Sequence, residues 1–314
     1  MLAIALALGA SVCWGSGDFL GGLTTRRASL WAVVIGSQSV GLAGAALVVV
    51  LLGRPWPGLA GVWPVLLGGA AGAVAIATFY KALAIGTMSI VAPISATSAL
   101  IPFVAGLAAG ERPSVWQLVG AAVAAIGVLL VAAEPARRGE TVGAPALPGG
   151  PAVEPEAATD ARWAPARTVD TDSERRRVQR QAIGLSLLAA GGIGLTLLGY
   201  NAAAQHDPMW AMLAGRASSA TFFALFLVVV RPRLVATAAA VPGIVTVGLV
   251  DTGANGMFAL ATTQGYLSIV AVLGSVYPAV TVILAFAILR ERVAPHQLAG
   301  VVATLAGVSL IAAA

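Results

Sequence analysis

Gly86-Thr87-Met88-Ser89-Ile90-Val91-Ala92 is echoed 179 positions later by Gly265-Tyr266-Leu267-Ser268-Ile269-Val270-Ala271. Just upstream, Phe79 and Ala82 meet Phe258 and Ala261 at the same offset. After a one-residue shift, Glu111-Arg112, Gln117-Leu118, Gly120, Gly127-Val128, Leu130 and Ala132-Ala133 meet Glu291-Arg292, Gln297-Leu298, Gly300, Gly307-Val308, Leu310 and Ala312-Ala313. Toward the amino terminus, Ile4, Leu6, Leu8 and Gly15 meet Ile183, Leu185, Leu187 and Gly194, while Trp31-Ala32, Gly36 and Ser39 meet Trp210-Ala211, Gly215 and Ser218. Alanine-rich segments match one another by chance, but Glu-Arg followed by Gln-Leu at equal spacing is a far stronger coincidence. The chain reads as two copies of one unit.

Each copy is built for a nonaqueous solvent. Of 314 residues, 59% are hydrophobic and 10% charged, and the mean hydropathy is +0.92, well outside the range of soluble domains. With roughly 20 apolar residues per membrane-spanning helix, the chain has room for about ten spans and no globular domain. Apolar windows and their punctuation predict helices near 2–23, 30–52, 61–84, 88–109 and 115–133, then 182–203, 208–230, 241–263, 268–289 and 295–313. Met1 to Ala10 lacks the basic start of a secretory signal, so the first window is read as a span. The expected fold is an all-α integral membrane protein. Five spans per copy reverse the second copy in the membrane, giving the inverted repeat of a transporter.

The expected domains are a first repeat over 1–133, a linker over 134–180 and a second repeat over 181–314. Pro135, Pro145, Pro148, Pro151, Pro155 and Pro165 break the linker, which has no apolar periodicity and is expected to be disordered. The isoelectric point near 10.1 reflects arginines flanking apolar helices, so contact with anionic lipid headgroups, not nucleic acid, is the expectation. A single cysteine, Cys13, and two histidines, His206 and His296, argue against disulfides, a metal centre and a metal-dependent reaction. No cofactor is expected.

Ionisable residues inside a span cost about 2.5–3.5 kcal/mol at its centre, which makes them site candidates. Four stand out: Asp18, Lys81, Arg216 and Asp251. Asp251 falls about 15 Å into its helix, near the midplane, and is read as carrier of a coupling proton or a substrate ammonium. Its alternative is a permanent ion pair with Arg216. Asn255 and Thr262 share its helix face. Arg216, about 12 Å into its span, could hold a substrate carboxylate with its forked donors. Asp18 and Lys81 lie nearer span ends, where side chains can reach water.

Pro93 and Pro102 in the fourth span and Pro278 in the ninth interrupt helices at corresponding places in the two copies. Such breaks point to a transporter's binding site, which makes Ser95, Thr97, Ser275 and Tyr277 candidate cavity residues. Most tryptophans lie toward span ends as an interfacial belt, and Trp14 is the one taken as a possible cavity wall. Glu111-Arg112 and Glu291-Arg292 read as helix-end clamps or anchors.

The sequence resembles the EamA-type family of drug/metabolite transporters. The resemblance rests on Trp14-Gly15 with Asp18-Phe19, Met88-Ser89-Ile90-Val91-Ala92-Pro93 and Gly110-Glu111-Arg112-Pro113-Ser114 in the first half. In the second half it rests on Leu267-Ser268-Ile269-Val270, Tyr277-Pro278-Ala279-Val280-Thr281 and Arg290-Glu291-Arg292. It implies ten helices in two repeats, export of small metabolites driven by an ion gradient, and a central cavity between the repeats. The long linker departs from the short connection expected of that family.

The resulting expectation is a secondary active exporter of small polar or zwitterionic metabolites, proton-coupled and working by alternating access. A drug/proton antiporter for lipophilic cations is the alternative, and a membrane-embedded enzyme acting on lipid-linked substrates a remote third. The partners expected are a small-molecule substrate, a proton and the bilayer, with a homodimer left open. Both termini should share one side. The family precedent puts them in the cytoplasm, but Arg26, Arg27, Arg137, Arg138, Arg175, Arg176, Arg177, Arg180, Arg231, Arg233, Arg290 and Arg292 accumulate on the linker's side, against Arg54 and Arg112 opposite. That bias favours a cytoplasmic linker.

Overall fold

The computed structural model describes residues 1–85, 91, 94–132, 172–289 and 294–314. Much of Met88 to Pro93, the Arg290-Glu291-Arg292 motif and the linker from 134 to 171 therefore lie outside the described residues. The helices are α1 (Leu2–Thr24), α2 (Leu30–Leu51), α3 (Leu59–Ile85), α4 (Leu100–Ala108), α5 (Val115–Ala132), α6 (Asp172–Ala204), α7 (Pro208–Val230), α8 (Val241–Thr262), α9 (Leu267–Gly274), α10 (Tyr277–Leu289) and α11 (Pro295–Ala313). Among the described residues nine apolar segments are long enough to cross a membrane, counting α9 and α10 as one, and Ile94–Ala108 is a shorter tenth. Among the described residues the chain is helical, with one isolated bridge between Ala28 and Ala236. The chain is thus a multi-pass membrane protein.

One boundary differs from the sequence reading. The segment expected to be disordered through residue 180 is already helical from Asp172. The prolines stop at Pro165, and the polar run that follows contains no breaker before the apolar part of α6.

The two copies pack mainly against each other. The closest helix pairs are α3 with α6, α5 with α11, and α1 with α8, followed by α2 with α8, α3 with α7, and α2 with α7. Exchanging the copies maps this set onto itself: α3–α6 becomes α8–α1, α2–α8 becomes α7–α3, and α2–α7 and α5–α11 map onto themselves. The match extends to residues. Gly15 packs against Val280, and Gly194 against Ile101; Gly36 packs against Ile244, and Gly215 against Val65. All four residues in each pair of contacts are related by the 179-residue offset. In the α5–α11 crossing, a Cβ on Gly120 would lie 2.8 Å from the Gly307 carbonyl oxygen, and one on Gly300 would lie 2.7 Å from that of Gly127. Glycine is required there because the two backbones touch, which is how helices gain contact in lipid without a hydrophobic driving force.

The ninth span breaks where proline predicts. Pro278 cannot donate to the Gly274 carbonyl, and the chain tightens instead, with Ser275 donating to Ala271 and Val272, Val276 to Leu273 at 3.4 Å, and Ala279 to Val276 at 2.9 Å. In the fourth span, buried Pro102 follows a 3₁₀ turn over Thr97–Ala99. Glu111 supplies the clamp: its carboxylate accepts from the backbone N–H of Leu267 at 2.6 Å and of Ser268 at 2.9 Å. A carboxylate on the first amides of α9 satisfies orphan donors and faces the positive end of the helix dipole. The first copy thereby caps the broken helix of the second.

Two outcomes follow for stability in detergent micelles. Glu111→Ala should cost about 1–2 kcal/mol and Glu111→Gln less, read from thermal or denaturant unfolding; equal stability of all three proteins would remove the clamp. Gly127→Ala should destabilise by about 1–3 kcal/mol through overpacking, whereas Gly184→Ala, where a Cβ meets nothing within 4 Å, should be neutral or stabilising.

Candidate functional site

Arg216 lies in α7 and Gln38 in α2, each about eight residues into its helix, and the two spans run in opposite senses. They therefore meet near mid-membrane. Arg216 is 3% exposed. Its Nη2 forms an ion pair with the Asp251 carboxylate of α8, and its Nη1 donates to Gln38 Oε1 at 3.1 Å. Gln38 Oε1 also accepts from Ser219 Oγ at 3.0 Å. One guanidinium thus ties three helices from both copies. Gly41 and Gly248 let α2 and α8 approach closely enough for this: a Cβ on Gly248 would lie 2.5 Å from the Ser37 carbonyl oxygen. The Arg216 Nε is buried without a partner; because the guanidinium as a whole is buried and Asp251 is the carboxylate paired with it, loss of Asp251 leaves a buried charge uncompensated.

Asp251 is not sealed in with its partner. Its side chain is 33% exposed against 4% for that of Arg216. One turn further, Asn255 is half-buried and makes no hydrogen bond among the described residues. The next turns close the face off: Thr262 is buried and donates to the Ala259 carbonyl at 2.8 Å.

The second acid is Asp18 of α1. It is exposed, yet close enough to Asp251 and Tyr277 to interact electrostatically with both. α1 packs against α8 and α10. On the same face of α1, a Cβ on Gly21 or Gly22 would meet nothing within 4 Å. Trp14, one turn before Asp18, lies 5.6 Å from Phe258 and 6.5 Å from Tyr277, centroid to centroid. It also packs against Gly274 at the helix break. Trp14 and Tyr277 thus lie beside the interruption of the ninth span, with Asp18 and Asp251 within electrostatic reach of each other and Asn255 one turn from Asp251.

Other sequence candidates lie differently. Thr97 Oγ1 donates to the Ile94 carbonyl at 2.6 Å and Ser275 Oγ to that of Val272 at 2.7 Å, so both hydroxyls satisfy broken helical turns. Ser95 is buried with its Oγ unpartnered. Lys81 is exposed near the carboxyl end of α3 and makes no ion pair among the described residues. Gln38, Ser219 and Tyr200 were not among the candidates. Tyr200 is buried within electrostatic reach of Arg216 and Asp251. The repeat carried no signal for Gln38, which the 179-residue offset places opposite Ala217, although its neighbour Ser37 faces Arg216. Among the described residues no group of His, Cys, Asp and Glu could hold a metal ion.

The comparisons with known proteins agree with this architecture. A solved structure described as "Crystal structure of protein" is similar with a TM-score of 0.71 and 14% identity, over 98% of this chain and 95% of that one. At that identity the likeness concerns fold alone. No curated protein matches the chain. The model of the EamA-like transporter family matches twice, over residues 1–133 and 180–313. Those two matches divide the chain at the linker and cover both repeats, so the protein belongs to the EamA-like transporter family.

Proposed function

We propose that this protein is a proton-coupled exporter of small polar metabolites that carry an ammonium group, amino-acid-like zwitterions among them, and that the Asp18–Asp251 pair is where proton and substrate compete. The observation that carries this reading is the charge balance of the site. Two carboxylates within electrostatic reach of each other are matched by one buried guanidinium. A second cation is needed to neutralise the cluster in a medium where isolated charge is costly. Either a proton or a substrate ammonium can supply it, and mutual exclusion of the two at one site is the chemistry of exchange.

Of the two roles its position allowed, Arg216 takes that of ion-pair partner to Asp251 rather than holder of a substrate carboxylate. Already engaged with Asp251 and Gln38 and almost wholly buried, it positions Asp251 and holds three helices together. A zwitterion's carboxylate would find its partners instead among neutral donors such as Asn255 and Tyr277. The broken ninth span, the inverted repeat and the cross-repeat packing support alternating access, in which the copies rock about the shared site.

The second reading, export of lipophilic cations, draws on the aromatic rings. Trp14, Phe258 and Tyr277 beside Asp18 form the kind of wall on which a cationic ring or quaternary ammonium can rest. Amino-acid-like amines and cationic dyes distinguish the two.

The test is uptake into proteoliposomes of amino acids, nucleosides and cationic dyes, with and without an imposed pH gradient. Wild-type protein should accumulate an ammonium-bearing compound only with the gradient. Asp18→Asn should lower that accumulation at least about tenfold, the effect of roughly 1.4 kcal/mol, at unchanged melting temperature; coupling that survives Asp18→Asn would overturn the assignment. Asp251→Asn should destabilise the fold by about 3–5 kcal/mol, and adding Arg216→Gln should recover part of that loss.

The arginine bias supports a cytoplasmic linker and external termini. A membrane-impermeant maleimide should leave Ala152→Cys, in a Cys13→Ser background, unlabelled in intact cells and label it after permeabilisation. Labelling of intact cells would invert the topology.

A further inference from the structure

Two loops that are far apart in sequence meet at the membrane face that also receives the linker. The α1–α2 turn and the α7–α8 loop pair through backbone and hydroxyl groups. Ser29 N–H donates to the Val235 carbonyl at 2.7 Å, Val235 N–H to Ser29 Oγ at 3.1 Å, and Ser29 Oγ to the Arg233 carbonyl at 3.2 Å. Thr237 donates through both its N–H and its Oγ1 to the Arg27 carbonyl, and Ala28 bridges to Ala236. This pairing gathers Arg26, Arg27, Arg231 and Arg233 on one rim. All four are exposed, and none makes an ion pair among the described residues. Beside them Leu234 is 46% and Val235 61% exposed.

The duplication provides an internal control. The equivalent loops of the other copy, α6–α7 and α2–α3, meet on the opposite face. There Arg54 is paired with Asp207 at 3.6 Å, Trp210 Nε1 donates to the Arg54 carbonyl at 3.3 Å, and Trp56 packs edge-on against Trp210 with centroids 4.6 Å apart. One architectural corner is thus neutral and aromatic on one face, and on the other carries four uncompensated arginines next to exposed apolar side chains.

Backbone geometry adds a second observation. Arg231 ends α7 in the left-handed conformation, with φ of 48°, the one non-glycine residue at positive φ among those described. Glycine is the residue that this helix-end position favours. Its Nε donates to the Val228 carbonyl, which leaves the two terminal nitrogens directed elsewhere. An arginine held where glycine is preferred points to a use for its guanidinium.

We propose that the paired α1–α2 and α7–α8 loops form a binding site for the headgroup of an anionic phospholipid. The phosphate sits among the four guanidiniums, and Leu234 and Val235 dip into the acyl region beneath it. Charge complementarity supplies the headgroup contact, and the exposed aliphatic pair distinguishes a lipid from a soluble anion.

The experiment is native mass spectrometry of the full chain in neutral detergent, titrated with phosphatidylglycerol, phosphatidylcholine and inorganic phosphate. Phosphatidylglycerol should bind, phosphatidylcholine should not, and inorganic phosphate at equal concentration should not displace the lipid. Each arginine removed should weaken binding about fivefold, and the combination Arg26→Gln, Arg27→Gln, Arg231→Gly and Arg233→Gln should lose it. Arg231→Gly alone keeps the folding control: it should weaken lipid binding while the lipid-free melting temperature stays equal or rises. Undiminished phosphatidylglycerol binding by the fourfold variant would overturn the proposal, as would equal competition by inorganic phosphate. A fall in the lipid-free melting temperature of Arg231→Gly would assign that residue a structural role and overturn its part in the site.

Discussion

A guanidinium held near the middle of a bilayer has to be neutralised where it stands. Arg216 meets that demand with a carboxylate from α8 and an amide from α2, and the cost of leaving either donor unsatisfied in a low-dielectric interior binds three helices into one arrangement. The glycines along α2 and α8 bring the backbones close enough for those side chains to reach. Because α2 belongs to one copy and α7 and α8 to the other, the neutralisation also joins the two halves of the molecule. Asp251 is the more exposed partner of that pair, and Asp18 lies within its electrostatic reach.

The fold was readable because the duplicated positions are the ones geometry constrains most. Gly15 and Gly194, Gly36 and Gly215, Gly120 and Gly300 are the points where a side chain would collide with a neighbouring helix, so they stand out as a register even in a background of alanine. The break at Pro278 was legible for the same kind of reason, since a missing donor has one consequence in a helix. The start of α6 was not, because charged helix and charged coil have similar composition.

The site was legible in part. Arg216 and Asp251 were visible as charges in apolar spans, and their pairing was one of the two readings of that pattern. Asp18 was placed near a helix end and so credited with easy access to water. It is exposed, as that position suggested; what distance along one helix could not say is that α1 packs against α8 and α10, which puts Asp18 within electrostatic reach of Asp251 and Tyr277. Gln38 and Tyr200 escaped notice because neutral polar residues are common in membrane helices and carry no charge to draw attention. Lys81, by contrast, was marked by its charge yet makes no ion pair among the described residues.

The contacts that map onto themselves when the copies are exchanged, α2 with α7 and α5 with α11, lie on the molecule's pseudo-twofold axis. A surface on that axis is self-complementary: each half offers the other the same patch it receives. Two separate five-helix chains, inserted in opposite orientations, could close through the glycine crossing of α5 with α11 and the polar contacts of α2 with α7 without any covalent connection. Joining the copies in one chain therefore fixes that the halves come in equal numbers, while the surfaces through which they meet belong to each half by itself.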